Sequence, residues 1–223
     1  MQEAPGTSGG ELFSEATGYD IIAVTETWLR AEANMPQCCP QHYRAYRADR
    51  KDGRNGGGAL ILVTEDFVQS EAMGMNTPNI QVAACSLHAR GTRVELACVY
   101  RSPSATREED ALLINYIRGF FQKERPLLLG DFNAPEVDWE RGMASGGGFG
   151  PDLLCAAQDG AMLQHVTVPT RIREGQAPST LDLVISKFHR DIQNIAVEAP
   201  LGSSDHVVLK MSMEFGAPVV PDK

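Results

Sequence analysis

The stretch LLLGDFNAPEVDW, residues 127–139, constrains the fold more than any other part of the chain. Its apolar run lies between Pro126 and Pro135, and a run of that kind reads as a strand buried on both faces. Such strands belong to sheets covered by other layers, which places residues 127–129 in a core. Side chains alternate along a strand, so Asp131 and Asn133 are expected on one side, about 6–7 Å apart, with Phe132 turned back into protein. Asp and Asn also commonly make turns before proline, and this stretch alone leaves that simpler reading open.

Residues 20–28, 58–63, 80–89, 93–100, 126–132, 180–186 and 206–213 share the same character, rich in Val, Ile and Leu with turn residues around them. The pair 80–89 and 93–100 is joined by RGT, the kind of short glycine-bearing link that makes a hairpin, so part of the sheet is antiparallel. After Thr106 the period changes. Leu113, Tyr116, Ile117, Phe120 and Phe121 recur at helical spacing, and Thr106 with Glu109 forms a capping-box pattern. That helix runs toward Pro126. A second begins at Pro151, with Leu153, Leu154, Ala157 and Ala161 on one face. A weaker helical segment is expected over residues 11–17. Strands with amphipathic helices between them predict a layered α/β fold.

Length and composition set the outer bounds. The chain has 223 residues, 43% hydrophobic and 22% charged, which suits one large domain with a substantial core. The domain is expected over residues 19–215, between an N-terminal segment 1–18 and a tail 216–223. No aliphatic run approaches the ~20 residues that cross a bilayer, so no membrane association is expected. The opening residues have neither a basic region nor an apolar one, and an intracellular setting is the expectation. Five cysteines, two of them adjacent at Cys38 and Cys39, match neither a disulfide framework nor a zinc pattern and read as free thiols.

The formal charge of −9 argues against nonspecific polyanion binding by the whole surface. One segment departs from it. Residues 43–58, YRAYRADRKDGRNGGG, hold Arg44, Arg47, Arg50, Lys51 and Arg54 against Asp49 and Asp52. This segment is either a solvated loop or a strip that lies along a phosphate backbone.

Polar side chains gather at the ends of the apolar runs: Glu26 after residues 20–25, Tyr100 before the Pro103 turn, Asp131 and Asn133, Asp182, and Asp205 with His206. Each alone has an innocent explanation as a cap, a turn or a satisfied core residue. Together they point to a cation, because clustered carboxylates repel and are costly to desolvate unless positive charge sits among them. Oxygen donors without a cysteine or multi-histidine pattern suit Mg²⁺ or Mn²⁺. The same residue types suit the attack of water on a phosphodiester: a carboxylate to take the proton, a cation and an imidazolium for the developing charge, an amide and a phenol to hold oxygens. Neither a GxSxG elbow nor a GxxxxGK[ST] loop is present.

The ordered set TETWL, YRSPS, GDFNAP, TLDLVIS and SDHVVL resembles the endonuclease/exonuclease/phosphatase superfamily, most closely the apurinic-like endonuclease domain of non-LTR (LINE-type) retrotransposons, over residues 19–213. The resemblance implies a four-layer α/β sandwich, two mixed β-sheets face to face with helices outside. It implies that Glu26 binds the metal, with Asp205 supporting the metal or the phosphate. Asp131 would activate or position the water, Asn133 would steady the phosphate, and Tyr100 would contact a phosphate oxygen. His206 would stabilise transition-state charge, with Asp182 orienting it. Arg101, Thr170 and Ser204 are the implied substrate contacts, DNA the implied partner and the nucleus the implied location. No protein partner can be inferred.

Members of that superfamily begin with an Asn-bearing strand and a full helix, whereas only 18 residues precede the match here. The first strand is therefore expected to be missing. Three functions stay open from sequence: a DNA-nicking endonuclease, an inactive remnant that at most binds DNA weakly, and a phosphatase acting on other phosphoesters with the same fold.

Overall fold

A computed structural model describes residues 18–30, 39–89 and 91–214. The helical segment expected over residues 11–17, most of the terminal segments and Cys38 lie outside the described residues. In chain order the strands are β1 (Ile21–Thr25), β2 (Tyr43–Ala48), β3 (Ala59–Thr64), β4 (Val68–Glu71), β5 (Met75–Asn76), β6 (Ile80–Ala89) and β7 (Thr92–Arg101). Helix α1 (Arg107–Phe121) follows, then β8 (Pro126–Asp131), β9 (Val137–Asp138), β10 (Met143–Ala144), helix α2 (Phe149–Asp159) and β11 (Leu163–Gln164). The chain closes with β12 (Asp182–Ser186), a 3₁₀ turn at His189–Asp191, β13 (Ile192–Glu198) and β14 (Val208–Met213).

The large sheet has the order β11-β12-β8-β7-β6-β4, with β5 also on β6. It is mixed: β7 and β8 run parallel, the other pairs antiparallel. The expected hairpin is the long β6–β7 pair, turning at Gly91, whose φ of +77° favours glycine. Because side chains alternate, β8 feeds two cores. Leu128 and Phe132 join α1 and α2 on one face, and Leu127 and Leu129 join β2 and β3 on the other. Burial of Leu127–Leu129 on both faces is what the apolar run predicted.

The layer opposite is built of two antiparallel pieces, β1-β3-β2 and β13-β14. Its apolar side chains, among them Tyr46, Ile61 and Val63, close the second core. The α/β sandwich is thus the fold, with α1 and α2 as its outer helical layer. Among the described residues no α-helix covers the far side of the smaller pieces. The edge of β1 away from β3, and that of β14 away from β13, carry no strand neighbour among the described residues. Lys210 of β14 lies 5.2 Å from the ring centroid of Tyr19, just before β1, and links the two pieces at that end.

Local chemistry explains the elements. Thr106 caps α1 by accepting the Glu109 N–H at 3.2 Å, while the Glu109 carboxylate accepts the Thr106 N–H at 2.9 Å. Helix α2 starts two residues ahead of Pro151, at Gly148 as its N-cap, so proline sits in the first turn as expected. The segment 43–58 is not a single basic loop. Its first part is β2, in which Tyr46 and Ala48 are buried and Arg44, two residues before them on the same face, is exposed where the strand begins. The arginines at 44 and 47 left no period-2 alternation to read there. Among the described residues Cys85, Cys98 and Cys155 are free thiols, and burial pushes Cys85 and Cys98 up to about 12.

Candidate active site

Strand register builds the site. Gln81 on β6 pairs with Tyr100 on β7, Tyr100 with Asp131 on β8, and Asp131 with Asp182 on β12. Residues in register on neighbouring strands point to one face, so these four side chains form a row at one end of the large sheet, on the face toward the smaller pieces. Gly130, immediately before Asp131, allows the row to form. A Cβ there would sit 2.0 Å from the Val99 carbonyl oxygen, and its φ is +130°.

Asp131 is 4% exposed. Its Oδ1 accepts the Asn133 N–H at 3.1 Å and its Oδ2 accepts Nδ2 of Asn133 at 3.0 Å. Asn133 adopts φ +46°, a left-handed conformation that Asn tolerates, and this folds the turn over the carboxylate. Burial, then the negative charge of Asp182, pushes the Asp131 carboxyl well above the ordinary carboxylate range. Nδ1 of His206 lies 2.8 Å from Oδ2 of Asp182. Burial would lower the imidazole, but the hydrogen bond and charge of Asp182, with Asp131 and Asp205 behind it, raise it overall. Asp131, Asp182 and His206 bring their ligand atoms within 4.8 Å of one another, the one such metal-capable group among the described residues.

Glu26 enters from the opposite layer, just after β1. Its Oε2 accepts the Gly57 N–H at 2.5 Å, and its carboxylate accepts the Tyr100 hydroxyl. Burial and that hydrogen bond raise the phenol, which keeps its proton and acts as a donor. Glu26 has φ +54°, unusual for a residue with a side chain, and is held there by the glycines at 56–58. The contacts therefore run from Glu26 through Tyr100, Asp131 and Asp182 to His206.

Asp205 continues the chain of charges past His206, yet its carboxylate is paired with Arg171 at 2.9 Å and lies 3.9 Å from Arg173. Three expectations are corrected. Arg101 was read as a substrate contact, but it is 8% exposed, paired with Asp110 at 2.7 Å and bonded to the carbonyls of Phe132 and Asn133. It stacks on Phe149 and braces the Asn133 turn from the helix side. Thr170 is fully buried; its hydroxyl accepts the N–H groups of Leu181 and Asp182, both at 3.0 Å, and so fixes the start of β12. Asn133 donates Nδ2 to Asp131 and to the Arg101 carbonyl, so its amide orients the carboxylate and is not free for a phosphate. Ser204 is exposed and accepts the His206 N–H at 3.0 Å.

Sequence reasoning missed two residues of the row's surroundings. Gln81 is fully buried and accepts the Gly58 N–H at 3.0 Å, tying the glycine turn to Tyr100's neighbour strand. Only the pairing of β6 with β7 reveals it. Arg50 lies against Gly57, where a Cβ would meet its Cζ at 2.9 Å, and its charge is felt by Tyr100. It was visible in the basic run, but nothing in the sequence placed it beside Glu26.

Comparisons with known proteins agree with this fold. The chain is 28% identical over 209 residues to the probable RNA-directed DNA polymerase from transposon BS of Drosophila melanogaster, covering 92% of this chain and 22% of that protein. It thus spans about a fifth of that relative's length. The endonuclease domain of TRAS1, a telomere-specific non-LTR retrotransposon, superposes with a TM-score of 0.69 at 18% identity, covering 95% of this chain and 93% of that one. An AP endonuclease from Archaeoglobus fulgidus superposes with a TM-score of 0.61 at 12% identity, over 92% of each chain. The family described as endonuclease-reverse transcriptase matches residues 94–210, which carry Tyr100, Asp131, Asp182 and His206, and the chain belongs to that family.

Proposed function

We propose that this domain is a divalent-metal-dependent endonuclease that hydrolyses a phosphodiester of DNA and nicks one strand to leave a 3′ hydroxyl. The observation that carries the reading is the row itself: one buried carboxyl, one carboxylate–imidazole pair and one phenol, delivered by separate strands to one end of the sandwich.

The donors present fit a hard cation. Glu26, Asp131 and Asp182 offer carboxylate oxygens, Glu26 being the exposed one on the Tyr100 side, and Asp205 lies beyond His206. Mg²⁺ or Mn²⁺ held there, with Glu26 as the principal ligand, would supply charge neutralisation at the phosphate. The disfavoured charge on Asp131 suits such an ion, since a buried carboxyl beside a second acid gains from positive charge nearby.

The chain's own residues supply the remaining chemistry. Asp131, its carboxylate aimed by Asn133, is the base that takes a proton from the attacking water; its raised pKa brings it nearer neutral operating pH. His206 is kept protonated by Asp182, which binds Nδ1 and leaves Nε2 for a non-bridging phosphate oxygen. Tyr100 donates its hydroxyl at the same face. Thr170 and Ser204 act through the backbone of Asp182 and His206, so they position rather than touch substrate.

The test is conversion of supercoiled plasmid to open circle by the purified chain in Mg²⁺ or Mn²⁺ against EDTA, followed by polymerase extension from the nick without end repair. The reading requires metal-dependent nicking that Glu26→Gln suppresses and ends that extend directly. No nicking in either metal would overturn it in favour of an inactive DNA-binding remnant.

A further inference from the structure

Beside the catalytic row, and outside it, lies a cavity of about 260 Å³ lined by Trp28, Arg30, Arg50, Lys51 and Arg54, with Gly56 in its wall. Four cations, one of them (Arg54) paired with Asp52 at 2.5 Å, run against the charge of −9 carried by the chain. The three arginines are placed by the fold rather than by chance. Arg30 donates to the Asn55 side chain at 2.7 Å, Arg54 to the Asn79 side chain at 2.8 Å, and Arg50 to the Asn55 carbonyl at 3.2 Å. Arg50 Nε is buried against Gly57 with no hydrogen-bond partner, so the protein leaves this guanidinium only partly satisfied.

The second component is aromatic. Trp28 is 44% exposed and adopts φ +56°, a costly conformation for a bulky side chain, fixed by its N–H bond to the Gly57 carbonyl at 3.0 Å. An exposed indole held in a strained backbone is poorly explained by packing. Gly56 joins this cavity to the candidate active site: a Cβ there would lie 3.3 Å from Glu26 Oε2 and 3.9 Å from Trp28 Cε2.

Cations with an exposed π face select a ligand that is both flat and anionic, and one nucleotide has that chemistry. Pockets for larger ligands run from roughly 300 to 1,000 Å³, so the cavity suits a single residue of a strand. We propose that it receives the nucleotide adjoining the scissile phosphate, its base against Trp28 and its phosphate between Arg50 and Lys51. This assignment rests on the endonuclease reading and adds a substrate subsite to it.

The test reads binding rather than turnover, so an inactive enzyme cannot confuse it. Anisotropy of an end-labelled single-stranded DNA decamer is measured in EDTA across a salt series, with wild type, Trp28→Ala, Trp28→Phe, Arg50→Ala and Lys51→Ala. Trp28→Ala is expected to weaken binding about tenfold, as the loss of one stacked base implies, with Trp28→Phe restoring most of it. Arg50→Ala and Lys51→Ala are each expected to flatten the slope of log K against log salt by about 0.7, one phosphate contact apiece. Wild-type affinity in a folded Trp28→Ala, or unchanged slopes in both cation variants, would overturn the subsite whether or not wild type nicks plasmid. Should Trp28→Ala fail to fold, the exposed Lys51 decides by its slope.

Discussion

Asp182 shows how much a single side chain decides here. It holds Nδ1 of His206 at 2.8 Å and lies in register with Asp131, so it raises both the imidazole and the carboxyl. Asp182→Asn is expected to lower the nicking rate on the order of 10²-fold, toward the lower end for a lost acid–base partner. It should also move the alkaline limb of the pH–rate profile to lower pH. The sign follows from the charge: without the aspartate the imidazolium loses its proton more easily, so the protonated form is depleted sooner as pH rises. A profile whose alkaline limb stays in place would show that His206 protonation is not what the limb reports. At this scale the sequence exposed residue types and order, but not orientation. Arg101, Thr170 and Asn133 were legible as members of the site region, while their inward hydrogen bonds depend on strand register and on the packing of Phe149.

Elements were easier to read where local rules and tertiary packing agree. The capping box at Thr106 and Glu109 was visible as spacing and is present as geometry. What spacing could not show is that Glu109 also accepts the Thr77 hydroxyl at 2.7 Å and both the N–H and the amide of Asn79, at 3.0 and 2.8 Å. Burial alone would raise this carboxyl; the donors outweigh it and hold it down at about 2. Its stabilising contribution is therefore complete above the unfolded value of about 4.3 and is lost as pH falls from there toward 2. Glu109→Ala is expected to cost about 2 kcal/mol at pH 7 in urea denaturation, with the gap to wild type closing at pH 2–3. Gly130→Ala tests the packing of β7 on β8. With a Cβ 2.0 Å from the Val99 oxygen at φ +130°, it is expected to destabilise by more than ~3 kcal/mol, read as loss of soluble folded protein or a lowered Tm. Strand β2 was hidden because Arg44 and Arg47, three apart, break any alternation, and β13 because Gln193 and Asn194 interrupt its apolar residues at a shift in strand register.

For the whole molecule, two cores share one large sheet, and among the described residues the smaller pieces opposite it end in open edges at β1 and β14. Stability is thus uneven. Hydrogen exchange is expected to protect the amides of β6, β7 and β8 most strongly, while β1 and β14 open earlier; uniform protection would show that the open edges carry no energetic weight. The sandwich was legible because both-face burial of residues 127–129 demands layers on either side. The division of the second layer was not, since pairing partners of an edge are set by segments distant in sequence. Nicking of supercoiled plasmid by wild type, Asp131→Asn and His206→Ala, each confirmed folded by circular dichroism, tests most directly whether one row of side chains performs the hydrolysis. Metal-dependent nicking that falls by about 10²-fold or more in both variants is the predicted result, and equal rates in all three would contradict it.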